Sequence, residues 1–360
     1  MKIVEIMPSL DVCGVTRFVV DLSNQLAQQH DVVLLVLYPC RQPEQYGISP
    51  RIRLVEMNKK KGADWKLCYR LKEQLNREKA DIVHLHSASV LNYAAVAVFT
   101  QRQSRYFYTL HSEASFEIPG SFHRKLTEYT LLRPGLCRTV SSSDFAARSL
   151  PFKPPVVPLG RSLSEQQLCD ANAAAKMQEI RSRNGATLLL CVGNLTPVKN
   201  QLMLCRAVRH LTEQGHNMEL VLIGKAPDET YFRQLKPLLH HRRIHYIGPR
   251  KKVLAYMAQA DFFCLSSLTE SGPLVLLEAF FAGLIPICTP CGDVPNKVRS
   301  GENGLVAADF SRQAYEKVLL EALRLSPQRR QEIQAATRKS AQQYTMQRCA
   351  EHYLQLFNTP

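Results

Sequence analysis

Short apolar runs alternate with helix-length segments from one end of the 360-residue chain to the other. Examples are KIVEIM, DVVLLVLY and ADIVHLH near the start, and ATLLLCVGN, MELVLIGK and FFCLSS farther along. Continuous apolar strands separated by helices are typical of parallel sheets that are covered on both faces. The pattern therefore predicts an α/β fold with mostly parallel sheets.

The strand series restarts after a proline-rich passage, PFKPPVVPLG, whose last residues, VVPLG, are themselves a predicted strand. A chain of this length exceeds what one hydrophobic core comfortably needs. We expect two Rossmann-like domains, residues 1–163 and 164–340, that face each other across a cleft. Residues 341–360 are predicted to be helical, with four candidate packing anchors: Tyr344, Tyr353, Leu354 and Phe357.

The chain is basic, with a net charge of +15 and a pI of about 9.4. Such a charge suits nucleic acid, an anionic membrane surface or phosphorylated substrates. No long basic tail and no basic sheet with interleaved aromatics occurs, which disfavours nucleic acid. Acidic residues interrupt both the apolar start and the longest apolar stretch, Pro273 to Pro290. We therefore expect a cytoplasmic protein with no membrane span.

Cysteine and histidine patterns give little support to a metal or redox site. The eleven cysteines are scattered, which indicates reduced thiols, and the single C-x-x-C of Cys288 and Cys291 has no second pair. His84 and His86 share one face of a predicted strand, but no carboxylate or cysteine cluster adjoins them in the sequence. No D-x-D triplet occurs. We expect no metal and no cofactor.

The segment ESGPLVLLE, residues 270–278, places two carboxylates eight positions apart. Pro273 suits a helix start, which leaves Glu270 in the preceding loop and Glu278 in the helix, roughly 7 to 8 Å along its axis. Unpaired N–H groups at such a start attract an anion, for example a diphosphate. A nucleotide sugar fits, with sugar hydroxyls near Glu270 and ribose near Glu278. The alternative is that one glutamate is an exposed helix cap and the other is a solvated or paired helix residue.

The E-x7-E pattern is followed by EAFFAGLIPI and later by NGLV. Together these resemble the donor-binding segment of the retaining GT-B glycosyltransferases of the family-four type. The resemblance spans nearly the full length, from Pro8 to Val306, and its motifs are most specific in the second half. It implies that the second domain binds most of the donor, that the final helix crosses back to the first domain, and that the anomeric configuration is retained.

Site residues follow from these motifs. In VGNLTPVKNQ a strand leads into a helix near Pro197, so Lys199 can reach a diphosphate, although an exposed helix lysine is the alternative. The resemblance adds His111 near the transferred sugar and places the base near Arg250. We assign Glu270 and His111 as catalytic. We assign as donor-binding Gly14, Asn194, Lys199, Arg250, Gly272, Pro273, Leu274, Val275 and Glu278.

The sequence departs from the family pattern at two of these positions. Asn194 stands where an arginine is usual beside the lysine, so one charged contact to the diphosphate is missing. The first loop has Cys13 and Gly14 where two adjacent glycines are usual. A single glycine after a strand is also compatible with an ordinary turn.

A basic segment, residues 58–79, has an amphipathic pattern in which Trp65, Cys68, Leu71 and Leu75 are predicted to point inward. Its lysines and arginines suit an anionic lipid surface or a lipid-linked acceptor, and a solvated helix face is the alternative. Peripheral contact with the inner face of the membrane is compatible with this pattern.

The resulting hypothesis is a metal-independent glycosyltransferase that uses a UDP- or GDP-linked sugar and a glycan or lipid-linked glycan acceptor in surface polysaccharide synthesis. A nucleotide-sugar epimerase shares the architecture, but we identify no acid/base set for it. A degenerate scaffold subunit of the same fold is a further alternative, because Asn194 replaces the usual arginine. A basic nucleic-acid-binding protein is the remaining alternative.

Overall fold

A computed structural model describes residues 1–11, 13–101, 103–118, 120, 122–132, 136–182 and 185–359. The chain forms two compact units, Met1–Ser162 with Tyr344–Pro360, and Leu163–Gln343. Each unit contains a six-stranded sheet, and every strand pair recorded in the described part of the chain is parallel. The predicted α/β architecture with two Rossmann-like halves is confirmed.

The sheet of the first unit has the order β3-β2-β1-β4-β5-β6. Its strands are β1 Lys2–Met7, β2 Asp31–Val36, β3 Arg53–Glu56, β4 Ile82–His86, β5 Arg105–Leu110 and β6 Cys137–Ser141. Its helices are α1 Gly14–Leu26, α2 Lys66–Glu78, α3 Ala88–Thr100, α4 Ala114–Glu117, α5 Phe122–Leu131 and α6 Asp144–Ala147, with α15 Met346–Asn358 from the end of the chain.

The second unit repeats this topology with the order β12-β11-β10-β7-β8-β9. Its strands are β7 Thr187–Val192, β8 Met218–Ile223, β9 Ile244–Tyr246, β10 Phe262–Leu265, β11 Ile285–Cys288 and β12 Leu305–Val306. Its helices are α7 Ala171–Ser182, α8 Gln201–Glu213, α9 Glu229–Leu239, α10 Val253–Met257, α11 Leu274–Ala282, α12 Val294–Lys297, α13 Arg312–Arg324 and α14 Pro327–Ala341.

Both sheets reverse their strand order at one place. The reversal lies between β1 and β4 in the first unit and between β7 and β10 in the second. Loops that leave neighbouring strands diverge there, which opens a crevice beyond the carboxyl ends of the strands, where ligands of doubly wound sheets bind. We therefore expect a ligand-binding site of the second unit to include residues that follow β7 and β10.

The central strands are buried because helices cover both faces of each sheet. In β8, MELVLI, all six residues are buried, and in β2 only the first residue is exposed. The apolar stretch from Pro273 to Pro290 divides into α11 and β11 at Gly283. No helix in the described ranges has both the length and the apolar composition needed to cross a bilayer.

Helix α15 packs on the first unit through its aromatic side chains. Tyr353 and Phe357 are fully buried, and the rings of Phe357 and Phe107 lie 4.8 Å apart in an edge-to-face arrangement. A backbone hydrogen bond, which Arg161 N donates to Tyr344 O over 2.9 Å, holds the chain just before α15. Fully burying a large apolar side chain contributes about 1.5 to 3 kcal/mol, so these anchors hold the helix in place.

Two local predictions were wrong. VVPLG forms only a single bridge, between Val156 and Ser141, because the prolines around it lack the N–H groups that a ladder needs. In the basic segment, Trp65 precedes α2 and is 79% exposed, and Cys68 is only partly buried. The buried stripe of α2 is Leu67, Leu71, Leu75 and Glu78, at helical spacing.

Candidate functional site

The two glutamates of the E-x7-E pattern flank the start of α11. Pro273 precedes the first helical residue, Leu274, so Glu270 lies in the loop after β10 and Glu278 lies in the helix. Leu274 and Val275 are the first two helical residues, and N–H groups at these positions have no intrahelical acceptor. Glu278 is partly buried. The electropositive start of α11 therefore has one carboxylate before it, Glu270, and one after it, Glu278.

Lys199 and Glu270 form an ion pair although they are 71 residues apart. Lys199 ends the short 3₁₀ turn after β7, and Glu270 follows β10, so the pair lies at the strand-order reversal. The Ser267 hydroxyl donates to the same Glu270 oxygen over 2.8 Å. The two charged side chains are 30% and 12% exposed, respectively, so the cation remains reachable from solvent.

Backbone contacts fix the two loops against each other. The Ser266 hydroxyl donates to Lys199 O over 2.8 Å, and Leu268 N donates to Val198 O over 2.8 Å. On the other side, Gly292, in the loop after β11, approaches Glu270 so closely that a Cβ there would lie 1.6 Å from Glu270 O. The position of the Glu270 carboxylate is therefore set by both neighbouring loops.

The remaining predicted residues of the second unit follow three strands of its sheet, β7, β9 and β10. Asn194 is exposed just after β7, and its carbonyl accepts from the Gln201 amide over 2.9 Å. Arg250 is exposed in the loop after β9, and Gly272 is partly exposed just before Pro273. The strands β7, β9 and β10 all end at the same edge of the sheet, as their parallel pairing requires.

Gly14 and His111 belong to the first unit. Gly14 is the exposed first residue of α1, directly after the β1 loop. His111 follows β5 and is 8% exposed. Its backbone N–H donates to Glu117 over 2.8 Å, and that carboxyl also accepts from Ser112 N and the Tyr108 hydroxyl. Burial raises the pKa of Glu117 to about 7 despite these bonds.

A buried polar cluster that the sequence patterns did not predict lies beside His111. Glu5 Oε2 lies 2.6 Å from His86 Nε2, and His86 Nδ1 lies 2.9 Å from His111 Nε2. His84 Nδ1 lies 2.9 Å from the same Glu5 oxygen but is not aligned for a hydrogen bond. The expectation that no carboxylate adjoins the two histidines of β4 was wrong, because β1 pairs with β4 and brings Glu5 directly opposite His84.

The cluster of Glu5, His84 and His86 has its ligand-type atoms within 4.8 Å of one another. Zinc holds nitrogen and oxygen ligands at about 2.0 to 2.2 Å, which separates two tetrahedral ligands by roughly 3.3 Å. The observed separations from one shared Glu5 oxygen, 2.6 Å to His86 and 2.9 Å to His84, are shorter than this ligand spacing. We therefore describe the cluster as polar side chains in direct contact, of which Glu5 and His86 are hydrogen-bonded.

Three buried cysteines of the second unit, Cys191, Cys288 and Cys291, are poor nucleophiles. All eleven cysteines are free thiols, and Cys191, Cys288 and Cys291 are buried. Burial raises the pKa of Cys191 and of Cys291 to about 12. Burial also raises the pKa of Cys288 well above its usual value. The thiolate form that redox or metal chemistry needs is therefore disfavoured.

Family comparisons match most of the chain in two pieces. Residues 172–339 match the family described as glycosyl transferases group 1, and residues 12–149 match glycosyltransferase family 4. A subunit of the phosphatidylinositol N-acetylglucosaminyltransferase of Saccharomyces cerevisiae is 25% identical over 235 residues. That match covers 61% of this chain and 50% of the yeast protein. The chain therefore spans about half the length of this relative.

Solved structures share the fold over nearly the whole chain. A glycosyltransferase from Rickettsia africae superposes with a TM-score of 0.84 at 16% identity, covering 99% of this chain and 97% of that one. HepE from Anabaena, solved in complex with UDP-glucose, superposes with a TM-score of 0.81 at 17% identity and covers 99% of both chains. At such identities the likeness establishes a common fold.

Proposed function

Because the chain belongs to the group 1 glycosyltransferases of the GT-B fold, we propose that it is a retaining, metal-independent glycosyltransferase. The reaction moves a sugar from a nucleotide-sugar donor to a glycan or lipid-linked glycan acceptor in surface polysaccharide synthesis. In this transfer the bond between the anomeric carbon and the diphosphate breaks, and an oxygen of the acceptor takes the place of the diphosphate on the same face of the sugar.

The observation that carries the proposal is the convergence of Lys199, Glu270 and the start of α11 at the strand-order reversal of the second unit. A leaving diphosphate needs positive charge, which Lys199 and the N–H groups of Leu274 and Val275 supply. The Lys199–Glu270 pair keeps the ammonium group in place before the donor arrives. Fixed cations and dipoles of this kind stabilise developing charge without a metal.

The carboxylates have separate roles in the proposal. Glu270 accepts hydrogen bonds from hydroxyls of the transferred sugar, and Glu278, about one turn into α11, accepts from the ribose diol. His111 contacts the sugar as it acquires positive charge. Backbone groups near Arg250 receive the base, and the loop at Gly14 approaches the phosphates or the acceptor.

Relatives narrow the substrate classes within the proposal. HepE was solved in complex with UDP-glucose, and the yeast relative is a subunit of a phosphatidylinositol N-acetylglucosaminyltransferase. We therefore propose a UDP-linked donor first, a GDP-linked donor second, and a lipid-linked acceptor. Exposed Trp65 and Tyr69 beside Lys60, Lys61 and Lys66 form a basic aromatic surface that supports peripheral contact with an anionic membrane.

We expect the intact chain to release nucleoside diphosphate from one nucleotide sugar, with the rate largely unchanged by excess EDTA, because cations and N–H groups replace the metal. The assay supplies UDP- and GDP-sugars with lipid-linked acceptor in anionic vesicles and follows the product anomer by NMR. The vesicles also allow co-sedimentation of the protein to be measured. Glu270→Ala serves as the inactive control.

Three results would count against parts of the proposal. Rescue of activity by manganese or magnesium after EDTA contradicts metal independence. An inverted product anomer contradicts retention. Failure to release any nucleoside diphosphate, with the protein folded, favours the degenerate scaffold.

A further inference from the structure

Three buried side chains of the first unit, Glu5, His86 and His111, are in hydrogen-bond contact in that order. Glu5 is on β1, His86 ends β4 and His111 follows β5, three neighbouring strands of the sheet. The ring of His86 joins the carboxylate to His111, because its Nε2 contacts Glu5 and its Nδ1 contacts His111. We call these three residues the relay.

The proton positions in the relay follow from the charge of Glu5. Burial raises the pKa of Glu5, but the charge of nearby His84 and the hydrogen bond from His86 outweigh burial and hold the pKa at about 2. Burial lowers the pKa of His86 to about 4. At neutral pH an ionised carboxylate only accepts, so His86 carries its single ring proton on Nε2 and leaves Nδ1 bare.

A bare Nδ1 on His86 accepts, so the contacting Nε2 of His111 must donate. Burial, with smaller contributions from His86 and His84, lowers the pKa of His111 well below its usual value. His111 is then neutral, with its proton on Nε2 and a lone pair on Nδ1. The opposite arrangement needs either a protonated Glu5 or a buried histidinium at His86.

His111 Nδ1 is the free end of the relay. It has no hydrogen-bond partner among the described residues, and it is not one of the fully buried polar atoms that lack a partner. It therefore retains access to solvent, in agreement with the 8% exposure of the residue. The lone pair on His111 Nδ1 can accept a hydrogen bond from a hydroxyl group, and it also stabilises positive charge that develops nearby.

We infer that Glu5 and His86 are positioning residues that fix the Nε2–H form of His111, so that its Nδ1 accepts a hydrogen bond from a hydroxyl of the transferred sugar. This inference rests on the proposed function, since it takes the sugar as the ligand of His111. The neutral ring also avoids placing a second cation beside a sugar that is acquiring positive charge in the transition state.

A second branch of the cluster provides a matched control. His84 Nε2 lies 2.7 Å from the Thr109 hydroxyl, which lies 2.9 Å from the hydroxyl of Tyr353 on α15. This branch leads away from His111. Tyr353→Phe removes one buried hydroxyl from the same polar cluster and leaves the relay intact. It therefore shows how much a loss of buried polarity in this cluster affects the protein when the relay is unchanged.

The test measures the ring-nitrogen state of His111 by ¹⁵N-detected histidine NMR on the intact chain, with His111→Gln used to assign the signal. In the parent we expect protonated Nε2 and bare Nδ1. In Glu5→Gln the carboxamide presents either its oxygen or its NH₂ group to His86, so the form is no longer fixed. We expect a mixture of ring forms, kcat lower by about tenfold, and unchanged nucleoside diphosphate affinity; Tyr353→Phe should match the parent in all three.

The outcomes separate this inference from the proposed function. A parent in which His111 carries its proton on Nδ1 overturns the relay whatever the activity, and this holds even if Glu5→Gln does not fold. A folded Glu5→Gln with parental kcat and an unchanged ring form also overturns it. A parent that neither binds nucleotide nor turns over donor contradicts the proposed function instead, while the NMR result still reports the relay.

Discussion

Replacing Gly292 with alanine is expected to destabilise the second unit by about 2 to 5 kcal/mol and to abolish donor turnover. The new Cβ would lie 1.6 Å from Glu270 O and 2.6 Å from its carbonyl carbon, distances that no side chain tolerates. The backbone at Gly292 also has φ of +52°, which costs any other residue strain. The Glu270 loop must move, and its carboxylate then leaves Lys199. Melting temperature and donor turnover measure both effects.

Gly301→Ala is the matched control for this substitution. Gly301 also has a positive φ, +83°, but no atom lies within 4 Å of a Cβ added there. It shares the backbone strain without the collision, so we expect a loss of about 1 to 2 kcal/mol and near-parental turnover. Equal melting temperatures and equal turnover in the two variants would show that Gly292 does not set the position of Glu270.

Lys199→Ala is expected to weaken nucleoside diphosphate binding by tenfold or more. A charge-assisted contact contributes about 1.5 to 3 kcal/mol, and the substitution also leaves the Glu270 carboxylate facing the incoming diphosphate without its partner. Lys236→Ala, an exposed lysine on α9 of the same unit, controls for the loss of charge alone. Calorimetric dissociation constants for the three proteins decide the outcome, with melting temperature as the control for folding.

Asn194→Arg is expected to strengthen nucleotide binding. Asn194→Arg places a second cation at the end of β7, where the family has one, and the exposed position leaves room for the longer side chain. We expect nucleotide affinity to rise roughly tenfold. A folded Lys199→Ala that binds as tightly as the parent would remove residues 192–201 from the diphosphate site.

The sequence predicted those features that depend on local chemistry. Pro273 and the apolar run after it placed Glu270 before the helix and Glu278 within it, as observed. Alternating apolar runs predicted two parallel sheets, because continuous burial of a strand shows directly in its composition. The predicted strand VVPLG does not form, because its prolines lack N–H groups for the hydrogen bonds between strands. Trp65 was predicted to lie in the buried stripe of α2, but it precedes the helix.

Local sequence patterns did not predict contacts between residues that are far apart in the chain. The Lys199–Glu270 pair depends on β7 and β10 being neighbours, which strand order along the chain does not reveal. Glu5 joins His86 for the same reason, across the pairing of β1 with β4. The available signal was Glu5 itself, a charged residue with apolar neighbours on both sides in β1, since a buried carboxylate requires a partner.

Calorimetric titration with UDP and GDP is the most direct test of the central claim that α11 and its flanking carboxylates form the nucleotide-sugar site. We expect one of the two nucleotides to bind the parent at one site per chain. Glu278→Ala should weaken that binding by about tenfold through loss of the ribose contact, while Glu270→Ala should bind no more weakly than the parent, because its loss frees Lys199. Absence of saturable binding by the folded parent, or equal losses of affinity in the two variants, would contradict the account.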